Sequence, residues 1–249
     1  MSTKLGSDPN TLGGLDLAAQ IPIQDNGLTG DRSMNTKLGS DPNTLGGYSP
    51  QSSALDEETA RAEVYGLLAA LYYAPPSPEI LAQIRVAATE APAAGGFLQE
   101  PWHDLVAAAR TGTDAAIRDE YNTLFMGMGK PEVYLFASHY LSGFLNEKPL
   151  AALRGELARL GLARDDGMSE TEDHIAYLCE VMRYLIAGDD VAVANLTAQG
   201  KFFADHLQPW VLAMCDAIAA HPKAKVYAAL AEFTRAFVSV ETQGFDMLA

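Results

Sequence analysis

The sequence predicts an all-α fold, a single globular bundle of about ten helices that could divide into two helical subdomains. Three observations predict it. From residue 55 onward, apolar residues recur at three- and four-residue steps. No alternating strand pattern and no hairpin dipeptide between strands occurs in that part of the sequence. The 249 residues are 48% hydrophobic and 20% charged, so the chain can bury a full core.

Residues 1–52 differ in composition from the helical domain that follows, residues 53–249. They are rich in Gly, Ser, Asp, Asn, Thr and Pro, which predicts a disordered N-terminal extension. The extension contains an identical 12-residue repeat, TKLGSDPNTLGG, at Thr3–Gly14 and Thr36–Gly47. A duplicated expression leader or an alternative start is the preferred explanation. A tandem binding peptide is the alternative, because Leu15–Ile23 between the copies has some apolar character.

The first helices are bounded by local start and stop signals. Pro75 and Pro76 stop the first helix. Ser77 and Pro78 start the second, as an N-cap followed by a first-turn proline. The predicted helices of this half are Asp56–Tyr73, Ser77 to about Thr89, Phe97–Arg110 and Thr113–Phe125.

The second half of the chain also has helical patterns. Val133–Asn146 is apolar almost all round, which predicts a central helix buried by its neighbours. Pro149 begins the next helix, which ends at Gly161. Three later segments complete the set: Val191–Phe203, Pro209–Ala219 and Lys223–Thr242.

Ser169–Leu185 predicts an amphipathic helix with an ionisable cluster in its first two turns. Ser169 is a candidate N-cap, and Glu172 three residues later completes a capping box. Glu170 and Asp173 add negative charge where the helix dipole is positive. The sequence therefore predicts that this helix begins at Ser169.

Asp173 and His174 lie just off the apolar stripe of this helix. A carboxylate beside an imidazole at the border of a buried face can hold a cationic or hydrogen-bonding ligand. The alternative interpretation is structural. Acidic residues in a first helical turn are usually capping partners, and a single histidine beside them is often a boundary residue.

Net charge indicates which partners we expect, and cysteine content indicates the redox state of the chain. The 17 basic and 32 acidic residues give a net charge of −15 at pH 7, which repels nucleic acid and anionic lipid and attracts a basic peptide. Cys179 and Cys215 form no CxxC pair, so we expect reduced core residues. Neither a membrane-span-length apolar run nor a signal-peptide pattern occurs, which predicts a cytoplasmic protein without stable membrane insertion.

Sequence motifs of common enzymes and metal sites are missing. The chain has no P-loop, no dinucleotide-binding glycine pattern and no GxSxG elbow. A di-iron site in a helical bundle needs Glu-x-x-His on facing helices, whereas Glu170 and His174 are four residues apart and no second copy exists. We therefore expect no metal and no cofactor, and several enzyme classes are excluded.

Three blocks of residues carry a resemblance to one protein family. They are the EYNTLF stretch Glu120–Phe125 followed by Tyr134, Ser138 and Tyr140, then Glu170-x-x-Asp173-His174, and finally Phe202, His206, Leu207 and Trp210. The blocks resemble the TorD/DmsD/NarJ-type redox-enzyme maturation chaperones, also described as twin-arginine leader-binding proteins. The resemblance covers about residues 55–245.

The resemblance implies a cytoplasmic chaperone that binds the leader and the apo catalytic subunit of a molybdopterin oxidoreductase. Such a chaperone holds its client until cofactor is inserted and so delays export. The chain has no adjacent Arg-Arg pair, so it would bind such a leader and not carry one. Two departures leave the client open: Glu172 stands where the family often has Pro, and Leu135-Phe136 replaces a Pro-rich turn.

The resemblance also implies roles for individual residues. Asp173 would pair with a leader arginine, and His174 would hydrogen-bond or orient it. Glu170 is either a cap or a ligand. The remaining residues fall into possible groove positions, Ser138, Tyr140 and Tyr134, and mainly structural positions, Glu120, Tyr121, Phe125 and Trp210.

Two other functions and the oligomeric state stay open. The alternatives are a nucleotide- or small-ligand-binding helical protein, and a helical enzyme that uses Asp173 and His174 as an acid/base pair. An open apolar groove flanked by Asp173 favours the chaperone, whereas a small closed cavity favours the enzyme. The protein is either a monomer or a domain-swapped dimer, because Asp165–Gly167 could act as a hinge.

Overall fold

The computed structural model describes residues 50–87, 96–127, 130–145, 147–164 and 169–247. Within these ranges the chain forms ten α-helices and one π-helical turn, so the all-α prediction is confirmed. Almost all of the predicted extension, including both repeat copies, lies outside the described residues, as does the predicted hinge at Asp165–Gly167.

The helices follow one another without an intervening sheet in the described ranges. The first five are α1 (Pro50–Tyr73), α2 (Pro78–Val86), α3 (Gly96–Thr111), α4 (Asp114–Tyr121), which continues into the π-helical turn Asn122–Met126, and α5 (Ala137–Ser142). The others are α6 (Lys148–Arg159), α7 (Ile175–Ala187), α8 (Leu196–His206), α9 (Val211–Ala219) and α10 (Val226–Asp246).

Local capping signals set several helix starts. The Ser77 hydroxyl accepts a hydrogen bond from the Ile80 backbone N–H at 3.3 Å, and Thr113 caps α4 in the same way. These two predicted starts are confirmed. The helix predicted from Val191 begins instead at Leu196, because the Asn195 side chain caps it there by accepting from the Ala198 N–H at 3.0 Å.

The prediction that a helix begins at Ser169 is wrong, since α7 begins at Ile175. Residues 173–175 pair instead with the segment at the start of α5, about 35 residues earlier in the chain. The Ala137 N–H donates to the Asp173 carbonyl at 3.0 Å, and the Ile175 N–H donates to the Leu135 carbonyl at 2.9 Å. This pairing holds the backbone extended, so the local capping box does not form.

The prediction of one buried central helix over Val133–Asn146 is also wrong. Val133 to Phe136 are outside any helix, and Phe136 is extended and forms an antiparallel bridge with His174. The short α5 ends at Gly143, whose φ of +79° is the left-handed conformation that favours glycine. Just before and after that glycine the apolar side chains face solvent, with Phe144 71% exposed and Leu141 42% exposed.

The core is built around α7. Every residue from Ile175 to Met182 is buried, and α7 packs along α1 on one side and against α8 on another. The long α10 packs against α3 and α9. Buried apolar side chains from all these helices form one contiguous cluster, so the described helices share a single core.

A largely buried ion pair links the first and last helices. Arg61 of α1 donates two hydrogen bonds to Glu241 of α10, at 2.7 and 2.8 Å, and one to Gln199 of α8 at 3.1 Å. The Tyr65 hydroxyl donates to the same carboxylate at 2.9 Å, and the Gln199 amide donates to the Leu185 carbonyl at 3.1 Å. The network therefore joins α1, α7, α8 and α10 through polar groups that burial makes costly to leave unpaired.

Replacing Arg61 with Ala is expected to lower the free energy of unfolding by about 3 kcal/mol, because it leaves the buried Glu241 carboxylate without its cation. Urea unfolding followed by circular dichroism measures this loss. Arg235→Ala is the matched control. Arg235 is also paired with carboxylates, those of Asp216 and Glu232, but its side chain is 31% exposed. This substitution should cost at most about 1 kcal/mol. Equal losses in the two variants would contradict the structural role of the buried pair.

Candidate functional site

A groove of about 480 Å³ lies between α5, α6 and α8. Apolar side chains of Leu141, Leu153 and Leu178 line part of it. Ionisable side chains line the rest: Glu156, Asp173, Lys201, Asp205 and His206. A second groove of similar volume, between α8 and the end of α10, contains none of the predicted site residues.

Asp173 lies at the groove, but its carboxylate is already bonded to the protein. One oxygen accepts hydrogen bonds from the Ser138 backbone N–H, at 2.9 Å, and from the Ser138 hydroxyl. The other accepts from the Thr171 hydroxyl at 2.7 Å. Asp173 is 1% exposed and Ser138 is fully buried.

These bonds make Asp173 an N-cap supplied to α5 from elsewhere in the chain. Its backbone carbonyl accepts from Ala137 and its side chain accepts from Ser138, which are the first two residues of α5. Free N–H groups at a helix start need such acceptors, and a negative charge there is favoured by the helix dipole. Asp173 therefore fixes α5, and with it one wall of the groove.

His174 faces different surroundings. It is 4% exposed, and its ring lies among the rings of Phe136, Tyr73 and Tyr177 at centroid distances of 4.9, 6.5 and 6.1 Å. Its Nδ1 accepts from the Ala176 N–H at 3.2 Å, which caps α7. Burial lowers the pKa of His174 to about 4, and the nearby Asp173 charge offsets this only in part. The imidazole is therefore neutral at pH 7, with its proton on Nε2.

The aromatic residues of the first block support α5 from its other side. The Tyr140 hydroxyl donates to the Tyr134 carbonyl at 2.8 Å, and the Tyr140 ring stacks on Trp210 at 5.5 Å. Trp210 is 1% exposed and donates from its indole nitrogen to the His206 carbonyl at 2.7 Å. Because His206 lines the groove, this chain of contacts connects α5 to the opposite wall.

The acidic residues before Asp173 hold the segment that leads into α7. Glu172 accepts two hydrogen bonds from Arg154 of α6, at 3.0 and 2.8 Å. Glu170 is half-buried, its carbonyl accepts from Arg164 at 3.2 Å, and its side chain accepts from Ser169. Glu170 is absent from the described lining of the groove, so the structure does not bring it together with Asp173 and Ser138 there.

The EYNTLF stretch lies at the junction of α1 and α10. The Glu120 carboxylate accepts from the backbone N–H groups of Lys225 and Tyr227, at 2.7 and 2.8 Å, so it caps α10 from outside that helix. The Tyr121 hydroxyl donates to the Tyr73 carbonyl at 2.8 Å, at the end of α1. Phe125 packs edge-on against Tyr121 at 5.2 Å. The stretch thus joins helix ends that lie far apart in sequence.

Sequence reasoning missed three of the groove's charged residues, Glu156, Lys201 and Asp205. The only local signal is the four-residue spacing of Lys201 and Asp205, which is typical of a surface ion pair on a helix. Their shared location with Glu156 depends on how α6 and α8 pack, which no local pattern encodes.

Comparisons with known proteins identify the family. A family model described as the nitrate reductase delta subunit matches residues 93–216. A curated relative, the chaperone protein TorD of Vibrio cholerae serotype O1 (strain ATCC 39541), is 25% identical over 205 residues, covering 76% of this chain and 93% of the relative. TorD of the El Tor Inaba strain N16961 is 24% identical over 204 residues.

The chain belongs to the TorD/NarJ family. The resemblance drawn from the motifs is thereby confirmed. Members of this family are chaperones and not enzymes. The matched residues 93–216 contain α3 to α8 and the first part of α9, as far as Asp216, and so every described residue that lines the groove. In the part of the chain that the structure describes, no helix is long and apolar enough to cross a membrane, and no group of three metal-binding side chains occurs.

We expect the burial of His174 to make the folded protein less stable as the pH falls. Its pKa is about 4 when folded and about 6.5 when unfolded, so the unfolded chain binds more protons between these values. The contribution is present above pH 6.5 and is lost as pH falls toward 4. We expect His174→Asn, which keeps a capping acceptor, to reduce the loss of stability between pH 7 and pH 5 by about 2 kcal/mol relative to the native chain.

Urea unfolding at the two pH values measures this difference. His103→Asn is the matched control, because that side chain is 60% exposed on α3 and should leave the native pH dependence unchanged. If both variants retain the full pH dependence, the buried neutral state of His174 is refuted.

Proposed function

We propose that this protein is a cytoplasmic, system-specific chaperone for a molybdopterin oxidoreductase. It binds the client's twin-arginine leader and the apo catalytic subunit, assists cofactor insertion and delays export until the client is mature. The family and the TorD relatives support the chaperone class. The observation that carries the leader-binding step is the groove between α5, α6 and α8, which combines apolar walls with carboxylates.

The groove matches the two chemical parts of such a leader. Leu141, which is 42% exposed, offers an apolar contact to its apolar, helix-forming stretch, and the buried Leu153 and Leu178 form the apolar base beneath it. Phe144, two residues beyond the end of α5, adds an exposed apolar side chain. Glu156 and Asp205 offer carboxylates to the arginines, and the net charge of −15 attracts a basic segment from a distance.

Within this proposal Asp173 positions α5, and the leader arginines bind Glu156 and Asp205. The Asp173 carboxylate is 1% exposed and accepts three hydrogen bonds, whereas Asp205 is half-exposed on the groove wall. An arginine could reach Asp173 only by displacing donors that hold α5. A change at Asp173 therefore affects the leader through the position of α5.

The alternative functions gain less support from the same geometry. Three carboxylates in the groove repel the phosphates of a nucleotide. The proposed acid/base pair of an enzyme is divided, because the Asp173 carboxylate bonds to Ser138 while the His174 ring lies among aromatic side chains.

Calorimetric titration of the full chain with a panel of twin-arginine leader peptides tests the proposal. We expect micromolar or tighter binding to one leader, weakened by raised salt and by replacing both leader arginines with Gln. Light scattering on the same samples distinguishes the monomer from the domain-swapped dimer. If the folded chain binds none of the leaders, the proposed function is incorrect.

The role of Asp173 is tested with two substitutions. Asp173→Ala removes the cap of α5 and should weaken leader binding about fivefold at every salt concentration, since losing a cap costs about 1 kcal/mol. Asp173→Asn retains an acceptor for the Ser138 N–H and should bind within about twofold of the native chain, with the same salt dependence. A direct ion pair with the leader predicts the opposite: both variants bind weakly, and both lose part of the salt dependence.

A further inference from the structure

Lys201 lies inside the proposed leader-binding groove, between two of its carboxylates. Its ammonium nitrogen is 2.5 Å from an Asp205 oxygen and 3.6 Å from a Glu156 oxygen. All three side chains line the groove, with Glu156 on α6 and the other two on α8. Arg159 of α6 also donates hydrogen bonds to both oxygens of Glu156, so Glu156 is shared between Arg159 and Lys201, whereas Asp205 pairs with Lys201. Lys201 therefore links carboxylates of both helices at the place where a leader arginine would bind.

This internal cation can be displaced at low cost. Lys201 is 51% exposed and Asp205 is 50% exposed, and exposed ion pairs contribute little to stability because water screens them. The lysine side chain is long and flexible, so its ammonium can move into solvent without disturbing α8. Asp173, the third carboxylate of the groove, is bonded to Ser138 and Thr171 instead.

We infer that Lys201 is an internal competitor that occupies the leader's cation subsite and must be displaced by an incoming arginine. The inference rests on the proposed function and adds how the groove selects its ligand. A guanidinium presents five donors in a plane and can bind Glu156 and Asp205 together, whereas the ammonium it displaces is a single point charge. A peptide without a cation leaves Lys201 bound and gains nothing from these carboxylates.

Lys201 and the cations of an incoming peptide therefore compete for the same two carboxylates. Any basic segment is attracted by the acidic surface, but only one that binds the two carboxylates better than Lys201 does can hold the subsite. Lys201 thus lowers the affinity for every cationic peptide and leaves neutral peptides unaffected, so a basic segment that binds the two carboxylates only weakly does not hold the subsite.

Lys201→Gln tests the inference by removing the internal cation while keeping a polar side chain. We expect the leader peptide that the native chain binds to bind the variant about two- to fivefold more tightly at low salt, the range given by one exposed ion pair. The gain should shrink as salt is raised. The same peptide with both arginines replaced by Gln should bind the two proteins equally.

Lys223→Gln is the matched control, because it changes the net charge by the same amount. Lys223 pairs with Glu132 at 3.1 Å and is not among the residues that line the groove. It should leave leader affinity unchanged. Thermal unfolding of each variant verifies that the proteins are folded.

The possible outcomes distinguish a failure of this inference from a failure of the proposed function. Tighter binding in Lys201→Gln alone, and only for the arginine-containing peptide, supports the competitor role. Native binding without a gain in Lys201→Gln, an equal gain in Lys223→Gln, or an equal gain for the neutral peptide overturns it and leaves the proposed function standing. No leader binding by the native chain overturns the proposed function and this inference together.

Discussion

The carboxylate of Asp173, buried at the start of α5, is the interaction on which the groove depends. Ser138 donates to it twice and Thr171 once, so a charge that would be costly to bury is fully hydrogen-bonded. The same residue's backbone carbonyl accepts from Ala137, and the neighbouring His174 is extended and bridges to Phe136, so α7 begins only at Ile175. One residue thereby fixes two helix starts and the wall between them.

Several features of the fold could be predicted because they are encoded locally. The caps at Ser77 and Thr113 need only residues within one turn, and the apolar stripe of α7 needs only its own spacing. Two of the wrong predictions, a helix from Ser169 and one over Val133–Asn146, fail for a single reason. Asp173 and Ser138 are 35 residues apart in the chain, and the contact between them overrides helical preference on both sides.

The candidate site likewise has a part that the sequence could predict and a part that it could not. Asp173 and Ser138 are identified by resemblance to a family motif, but their bond to each other, and hence the capping role, is visible only in three dimensions. Glu156 and Lys201 carry no motif and belong to different helices, so their proximity of 3.6 Å is a product of how α6 and α8 pack. Local sequence could not have shown that these residues share a groove.

Two acidic residues of the family motifs have the same structural role. Glu120 accepts from backbone N–H groups at the start of α10, and Asp173 does so at the start of α5, each from a distant part of the chain. An acid that looks like a ligand-binding residue in sequence can therefore be a tertiary helix cap. Of the two, Asp173 lies at the groove and fixes the start of α5, while Glu156, Lys201 and Asp205 form an ionisable part of the groove lining. Because these three side chains cap no helix start, substitutions at them can change the charge of the groove without altering the helices that present them.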